Sequence, residues 1–451
     1  MQFSFVTRRV IRPASAVLLA CGVAAGCSSS TLEITDPDVL NVSDYQTVAG
    51  ATPLRLGALQ DFQNVFAGNL SIENVVIVTA NISDEIYSTD TFDDRLFPNQ
   101  RAMVENLPAM DGFYRNLHRA REGATQAILV LQKFAPTPVQ NIGELYALRG
   151  FTETFFAETY CSGVPFSGQK DGVTFFGDPQ TTAQIYTRAL ASFDSALAAS
   201  GTSANVQNLA RIGRGRVLLN QGQFAQAATA VAGVPTSFKY LTAHSTSSGR
   251  QENGVWNALS IANSRYAIVN REGGNGIDWL RTPADPRIPW TPSTRVGFNG
   301  TSTNLPTQGK YARTGSVAVA EGIEARLIEL EAQLRTDNQA ARDAVFAGLN
   351  SLRSTGISPA MAPLPGSAAT TQAAAVSQLF EERAIWLYLT GHRLGDLRRL
   401  IRQYGRTANS VFPTGNLPSP LAGTYGNDVN APIPFDERNN PKFNGCLDRN
   451  P

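Results

Sequence analysis

The sequence predicts a mostly helical protein assembled from helix-turn-helix pairs, and three observations carry that prediction. Residues 379–406 (LFEERAIWLYLTGHRLGDLRRLIRQYGR) read as two helices pinched at Gly391. In the second half Leu394, Leu397, Leu400 or Ile401, and Tyr404 recur at helical spacing; in the first half the apolar residues are nearly continuous, as expected of a helix buried on most sides. Gly391 stands where a left-handed helix terminus is natural. Residues 206–220 and 224–231 make a second pair around Gln221-Gly222. Elsewhere single apolar stripes recur, such as Leu117, Ala120, Ala124, Ile128 and Leu131 within residues 113–132.

Taken in order, the chain begins with a targeting segment over residues 1–26. Arg8, Arg9 and Arg12 precede a short apolar run at 14–23, too short to span a bilayer, which needs about 20 apolar residues. Ala24-Ala25-Gly26-Cys27 is similar to a bacterial lipoprotein cleavage box with Cys27 acylated; a competing box ends at Cys21. The serines after Cys27 suit an exposed tether, which runs to residue 45 and leads into one domain over 46–451. Residues 46–66 open the helical part, and the β-branched run at 75–78 is ambiguous between strand and helix. Residues 83–100, rich in Asp, Thr and aromatics, are expected to be a surface loop. Helices follow over 113–132, 142–160 and 183–199, the last capped by Thr182. Gly213 and Gly215 lie inside a helical pattern and read as close-packing sites. Two more helices are expected over 321–334 and 339–353. The segment LLNQGQFAQAATAVAGV resembles the middle of a tetratricopeptide repeat, although no strict repeat period survives.

Residues 236–315 depart from this pattern. They are rich in Gly, Pro, Ser and Asn, and hold three of the four tryptophans together with Tyr266, Phe298 and Tyr311. So long a loop-rich insertion inside a compact domain is usually functional or disordered, and its aromatic content argues against disorder. Ligand binding is therefore expected from Trp256, Trp279 and Trp290, with Tyr266 and Tyr311 weaker and Asn275, Asp278 and Arg281 as polar partners of Trp279. Each ring has a competing role in pinning the loops to the helices. Tyr87, Phe92 and Phe97 form a second candidate patch.

Composition removes several function classes. The 38 basic and 37 acidic residues leave a net charge of +1, with no excess to neutralise phosphates, so no nucleic acid is expected as a partner. The three histidines, His118, His244 and His392, stand at no metal spacing, and no P-loop, dinucleotide fingerprint or nucleophile elbow is present. No cofactor, metal or catalytic residue is expected. Asp84, Glu85, Asp90, Asp93 and Asp94 keep a helical glycoside hydrolase as a minor reading, since that chemistry needs only two carboxylates; clustered surface acids are more often simply solvated. Two cysteines, Cys161 and Cys446, remain in the body of an exported chain and are expected to bond to each other, tying the C-terminal tail to an early helix end.

The C-terminal residues resemble a known family. Glu382-Arg383, Gly391-His392-Arg393 and Asp396-Leu397-Arg398-Arg399, then Pro432-Ile433-Pro434 and Asn440-Pro441, are similar to the closing motifs of the SusD/RagB-like nutrient-uptake lipoproteins. LYALRGFTETFFAETYCSGVPF at 145–166 and the cleavage box followed by LEITDPDVL fit the same pattern. Cys161 and Cys446 are not general features of that family, and 236–315 shows no motif that carries a ligand residue over. The resemblance implies a mostly α body of about four tetratricopeptide-like pairs, few short strands and a loop-rich ligand-binding side. It further implies lipid anchoring at the outer membrane, exposed on the cell surface, and capture of a glycan or other nutrient for a TonB-dependent transporter. A helical-repeat lipoprotein that binds only a protein partner is the rival reading. Within the motif, Glu382, Arg383, Gly391, His392, Arg393 and Asp396 are expected to be architectural, with Glu382 or Arg383 paired to Arg393 or Asp396 across the joint.

Overall fold

The computed structural model describes residues 46–68, 73–170, 173–419 and 421–451. The targeting segment, most of the tether and Cys27 lie outside these residues. Helices α1 (Val48–Ala67) and α2 (Val75–Ile82) lead through strand β1 (Ile86–Ser88) and α3 (Asp93–Asn99) to the long pair α4 (Pro108–Phe134) and α5 (Gln140–Thr159). Short strands β2 (Val164–Pro165), β3 (Gly168–Lys170), β4 (Val173–Phe175) and β5 (Pro179–Gln180) precede α6 (Thr182–Ala198), α7 (Ala204–Asn220) and α8 (Phe224–Val231). The insertion supplies β6 (Lys239–Leu241), α9 (Gly254–Ser260), β7 (Tyr266–Ile268), β8 (Trp290–Arg295), β9 (Leu305–Gln308) and β10 (Ala318–Glu321). The chain closes with α10 (Gly322–Leu334), α11 (Gln339–Thr355), α12 (Gln372–Trp386), α13 (Arg393–Tyr404) and the short α14 (Ala408–Val411). The protein is mostly α, as its periodicities predict.

Neighbouring helices pack in series: α1 on α4, α4 on α5, α5 on α6, α6 on α7, α7 on α8, α8 on α10, and α10 on α11. Short connections and capped ends set this order. Thr181 accepts from Gln184 N while the Gln184 side chain accepts from Thr181 N, a reciprocal capping box. The cap therefore falls one residue before the expected Thr182, which is the first residue of α6. The spacing between α5, α6 and α7 is set by a ring in a notch. Phe193 of α6 is fully buried, and a Cβ added at Gly213 or Gly150 would stand 2.2 or 2.9 Å from its ring. Gly213 and Gly215 are thus close-packing sites, as expected.

One open reading is resolved and two expectations are corrected. The β-branched run at 75–78 is helical, in α2, where every residue from Val75 to Ile82 is buried; packing overrides local strand preference. Asn74 caps it by accepting from Ile77 N at 3.1 Å. Residues 83–100 are not a surface loop: Ser83, Asp84, Glu85, Ser88, Thr89 and Asp90 are buried, and β1 and α3 lie within the stretch. The joint at Leu387–His392 does not fold α12 and α13 into a close hairpin. Helix α12 lies on α10 and α11, whereas α13 lies on α2 and α5. Long side chains bridge the gap between them: Arg383 to Asp396 at 2.8 Å, and the Phe380 and Tyr404 rings with centroids 5.4 Å apart. Gly391 adopts the left-handed conformation expected, at φ 76°.

The strands form two-stranded ladders, and two of them organise the insertion. β1 pairs antiparallel with β7, setting Ser88 opposite Tyr266. β8 pairs with β9, from Trp290 opposite Gln308 to Arg295 opposite Leu305, and encloses the turn that carries Phe298. Cys161, just after α5, is bonded to Cys446 with a Cα–Cα distance of 5.9 Å, so the expected disulfide is present. Around it Cys161 N donates to Ala431 O at 2.8 Å and Leu447 N to Ser162 O at 2.8 Å, which docks the C-terminal tail.

Candidate functional site

Several aromatic residues of the insertion point inward. Trp279 is 2% exposed, stacks on Tyr388 at 4.7 Å, and donates from Nε1 to Asp84 O at 2.5 Å. Tyr266 is buried in β7, and the buried Tyr311 donates its hydroxyl proton to Leu389 O at 3.1 Å. These three offer no open face to a ligand: each buries its ring and uses its polar tip or strand position to fasten the insertion to the body. Trp256 and Trp290 are half-buried; Arg313 lies 5.7 Å from the Trp256 ring and Trp290 Nε1 donates to Arg281 O at 3.4 Å. The polar residues expected beside Trp279 turn elsewhere. Asn275 donates to Asn409 O and Phe412 O, Asp278 pairs with Arg271 at 2.9 Å, and Arg281 reaches Asp278 O and Glu381.

An outward-facing aromatic pair forms where the 87–92 segment meets the β8–β9 turn. Phe92 is 53% exposed and Phe298 39% exposed, with ring centroids 6.2 Å apart and planes inclined at 37°. The Arg265 guanidinium lies 3.8 Å from the Phe298 centroid and 5.4 Å from that of Phe92. Such stacking is favourable electrostatically and fixes all three groups. Arg265 Nη1 also donates to both oxygens of the buried Asp90, at 2.8 and 2.7 Å. Asp90 in turn accepts from Thr91 N and Phe92 N and pairs with Arg95, so Phe92 is held at the start of α3.

Backbone hydrogen bonds sew the two segments together: Thr89 N to Arg265 O at 2.9 Å, Phe298 N to Ser264 O at 3.0 Å and Asn299 N to Thr89 O at 2.8 Å. Gly297 is required there, because a Cβ would stand 2.6 Å from Thr89 Cβ. Of the second expected patch, Phe92 is exposed while Tyr87 and Phe97 are half-buried. Phe298 and Arg265 escape a reading of the sequence as site residues; the signal that marks Phe298 is its place in the turn-forming run Gly297-Phe298-Asn299-Gly300, where no periodicity supplies a core to bury it. Two apolar ring faces, a fixed guanidinium and neighbouring amides can stack on the C–H face of a sugar ring and bond its hydroxyls.

Three carboxylates of the acidic segment are committed to structure, while Asp93 is exposed and Asp94 half-buried. Asp84 is held by Arg393, Asp90 by Arg265 and Arg95, and Glu85 accepts from Leu389 N at 2.9 Å. Burial pushes the Glu85 carboxyl up to about 8, so it is neutral at pH 7. Asp84, Glu85 and Asp90 are thus buried rather than solvated, contrary to the expectation for a surface cluster, which holds only for Asp93. Among the described residues no group of three or more His, Cys, Asp or Glu side chains could hold a metal ion. The motif charges form a buried lattice. Arg383 and Arg399 both pair with Asp396; burial opposes its charge, but the two guanidinium groups hold that carboxyl well below the usual range. Glu382 pairs with Arg287 at 2.6 Å and Arg353 at 3.0 Å, and His392 Nε2 lies 3.0 Å from Glu324. The expected Arg383–Asp396 pair forms across the joint, whereas Glu382 and Arg393 find partners outside it. His118 is buried against Tyr114 and Phe156, and burial drives its pKa well down, keeping it neutral.

Protein-family models and curated proteins yield no match to this chain. Solved structures do match it. A SusD superfamily protein from Bacteroides thetaiotaomicron VPI-5482 superposes with a TM-score of 0.66 at 13% identity, covering 89% of this chain and 100% of its own. One from Parabacteroides distasonis ATCC 8503 also gives 0.66, at 12% identity over 91% and 100%. A protein described as SusD-like and carbohydrate binding, from Bacteroides vulgatus ATCC 8482, gives 0.62 at 12% identity over 88% and 97%. The fold is that of the SusD superfamily structures.

Proposed function

We propose that this chain, which has the SusD fold, is a non-catalytic lipoprotein of the outer-membrane surface that captures a glycan and delivers it to a TonB-dependent transporter. The observation that carries glycan capture is the exposed Phe92–Arg265–Phe298 platform. Structures of this fold include proteins described as carbohydrate binding, which supports the same ligand class. The cleavage box ending at Cys27 supports lipid anchoring. A protein partner is supported by the β3–β4 hairpin and the residue after it, where Val173, Phe175 and Phe176 are 68%, 46% and 44% exposed. A non-catalytic role accords with the commitment of Asp84, Glu85 and Asp90 to arginines and backbone.

A glycan array followed by calorimetry tests the reading. Phe92→Ala or Phe298→Ala should weaken the best glycan by roughly tenfold, about 1–1.5 kcal/mol, with an unchanged melting midpoint. Binding that survives the double variant would sink the platform. Palmitate labelling lost in Cys27→Ala tests the anchor, and co-purification with an outer-membrane barrel tests the partner.

A further inference from the structure

The chain has five lysines against 33 arginines. Four of them, Lys133, Lys170, Lys239 and Lys442, are exposed. Among the described residues eight arginines are fully buried and no lysine is. Lys310, two residues after β9, is the lysine that turns inward. Arginine is the usual interior cation, because its planar fork matches a carboxylate and keeps its proton. A desolvated lysine gives its proton up, which suits nucleophilic chemistry.

Lys310 lines a cleft of about 340 Å³ together with Glu321 at the end of β10, Ile323 of α10 and Trp386 of α12. The other cations there are Arg287, which is spent on Asp285 and Glu382, and the exposed Lys239, opposite Glu321 in the β6–β10 ladder. Two features set the Lys310 amine apart. It forms no ion pair with a carboxylate: Nζ donates to Tyr388 O, and the centroids of the Tyr311 and Tyr388 rings lie 5.6 and 5.9 Å away. Glu321, in the same cleft, makes neither a hydrogen bond nor an ion pair.

The electrostatics agree with this geometry. Burial pushes the Lys310 ammonium down to about 8; Glu321 and Glu85 oppose that fall and Lys239 adds to it. Burial raises the Glu321 carboxyl, against the pull of Lys310, Lys239 and His392 and with a push from Glu324. A lysine amine free of its proton beside an unpaired acid is the equipment of imine formation.

We infer that Lys310 captures a small aldehyde in this cleft as a reversible imine, independently of glycan binding at Phe92 and Phe298. The neutral amine keeps one N–H on Tyr388 O and adds its lone pair to the carbonyl carbon, forming the C–N bond. Its other proton moves to the carbonyl oxygen, giving a carbinolamine. Glu321 protonates that hydroxyl, the C–O bond breaks and water leaves. The product is an iminium whose remaining N–H stays on Tyr388 O, balanced by the Glu321 carboxylate. Addition of water reverses the sequence and frees the aldehyde.

Incubation of the mature protein with D-glyceraldehyde and sodium cyanoborohydride, which reduces an imine to a stable secondary amine, followed by peptide mass mapping, tests this. At pH 7 Lys310 should be labelled at least about tenfold faster than any exposed lysine, whose amine titrates near about 10.4. Its rate should saturate with aldehyde concentration while theirs stays linear. The advantage should shrink as pH rises from 7 to about 10, where the exposed amines lose their protons too. Glu321→Gln should slow capture at least about tenfold. Acetylation of Lys310 by acetic anhydride, which needs the amine alone, should be no slower in that variant than in the parent. Lys310→Arg, which keeps a donor for Tyr388 O, should remove the fast, saturable adduct. Labelling of Lys310 no faster than that of the exposed lysines overturns the inference. So does a rate linear in aldehyde, an advantage that persists undiminished to high pH, or a Glu321→Gln protein captured as fast as the parent.

Discussion

Arg393 closes a two-bond fork on Asp84 across 309 residues of sequence, Nε to Oδ1 at 2.6 Å and Nη2 to Oδ2 at 2.9 Å. Asp84 also takes Ile277 N at 3.0 Å on Oδ2, and its backbone carbonyl accepts from Trp279. One carboxylate thus joins the early segment, the insertion and the C-terminal motif. Arg393→Ala would leave that charge buried and unpaired, a loss of about 3–5 kcal/mol, read by urea denaturation. Glycan affinity of the folded fraction should stay within twofold of the parent; a stable variant with lost binding would contradict the architectural role.

Glu85 makes stability depend on pH in an unusual direction. Its carboxyl titrates near 4.5 when unperturbed but is pushed up to about 8 by burial in the fold. Between those values the folded state holds a proton that the unfolded chain has released, so stability falls as pH rises from about 4.5 to about 8 and levels off above. Glu85→Gln keeps an acceptor for Leu389 N without the titration. The variant should match the parent near pH 4 and exceed it by about 5 kcal/mol at pH 9, from denaturation midpoints across that range. A constant offset at all pH values would refute the assignment.

The bond between Cys161 and Cys446 spans a sequence separation of 285. In the chain-entropy account a loop of that size contributes up to about 5 kcal/mol by constraining the unfolded state. Reduction, or the pair Cys161→Ser with Cys446→Ser, should lower the melting midpoint by several degrees. Thiol titration of the denatured, unreduced parent should find neither cysteine reactive.

Phe193 predicts a sharp penalty at the glycines that house it. Alanine in a helix is favoured over glycine by about 1 kcal/mol, yet the Cβ of Gly213→Ala would meet the ring at 2.2 Å. Overpacking wins, and the net loss should be about 1–3 kcal/mol by chemical denaturation. Adding Phe193→Leu to the same protein should recover part of that loss, because the smaller side chain clears the notch.

What the sequence discloses follows the range of each interaction. Helix α4 announces itself through a stripe repeating every three or four residues, and Cys161 with Cys446 through scarcity. The joint at Gly391 is legible because only its backbone is special. The separation of α12 from α13 is not, because it depends on α12 packing on α10 while α13 packs on α2. Trp279 illustrates the deeper limit. An indole that fastens a loop and an indole that stacks on a sugar are the same residue in the same kind of segment, and only burial separates them. Phe298 and Arg265 become a site only once β1 pairs with β7 and brings Phe92 beside them.

The β8–β9 ladder closes at its base with Trp290 opposite Gln308 and carries Phe298 in its enclosed turn. That hairpin is therefore an interchangeable cartridge. Lengthening it, or exchanging the residue at its tip, would retune which ligand the surface accepts while the helical chassis and its buried ion pairs stay untouched. Fewer than twenty residues, roughly the span of this one hairpin, therefore decide the shape and chemistry of that exposed face.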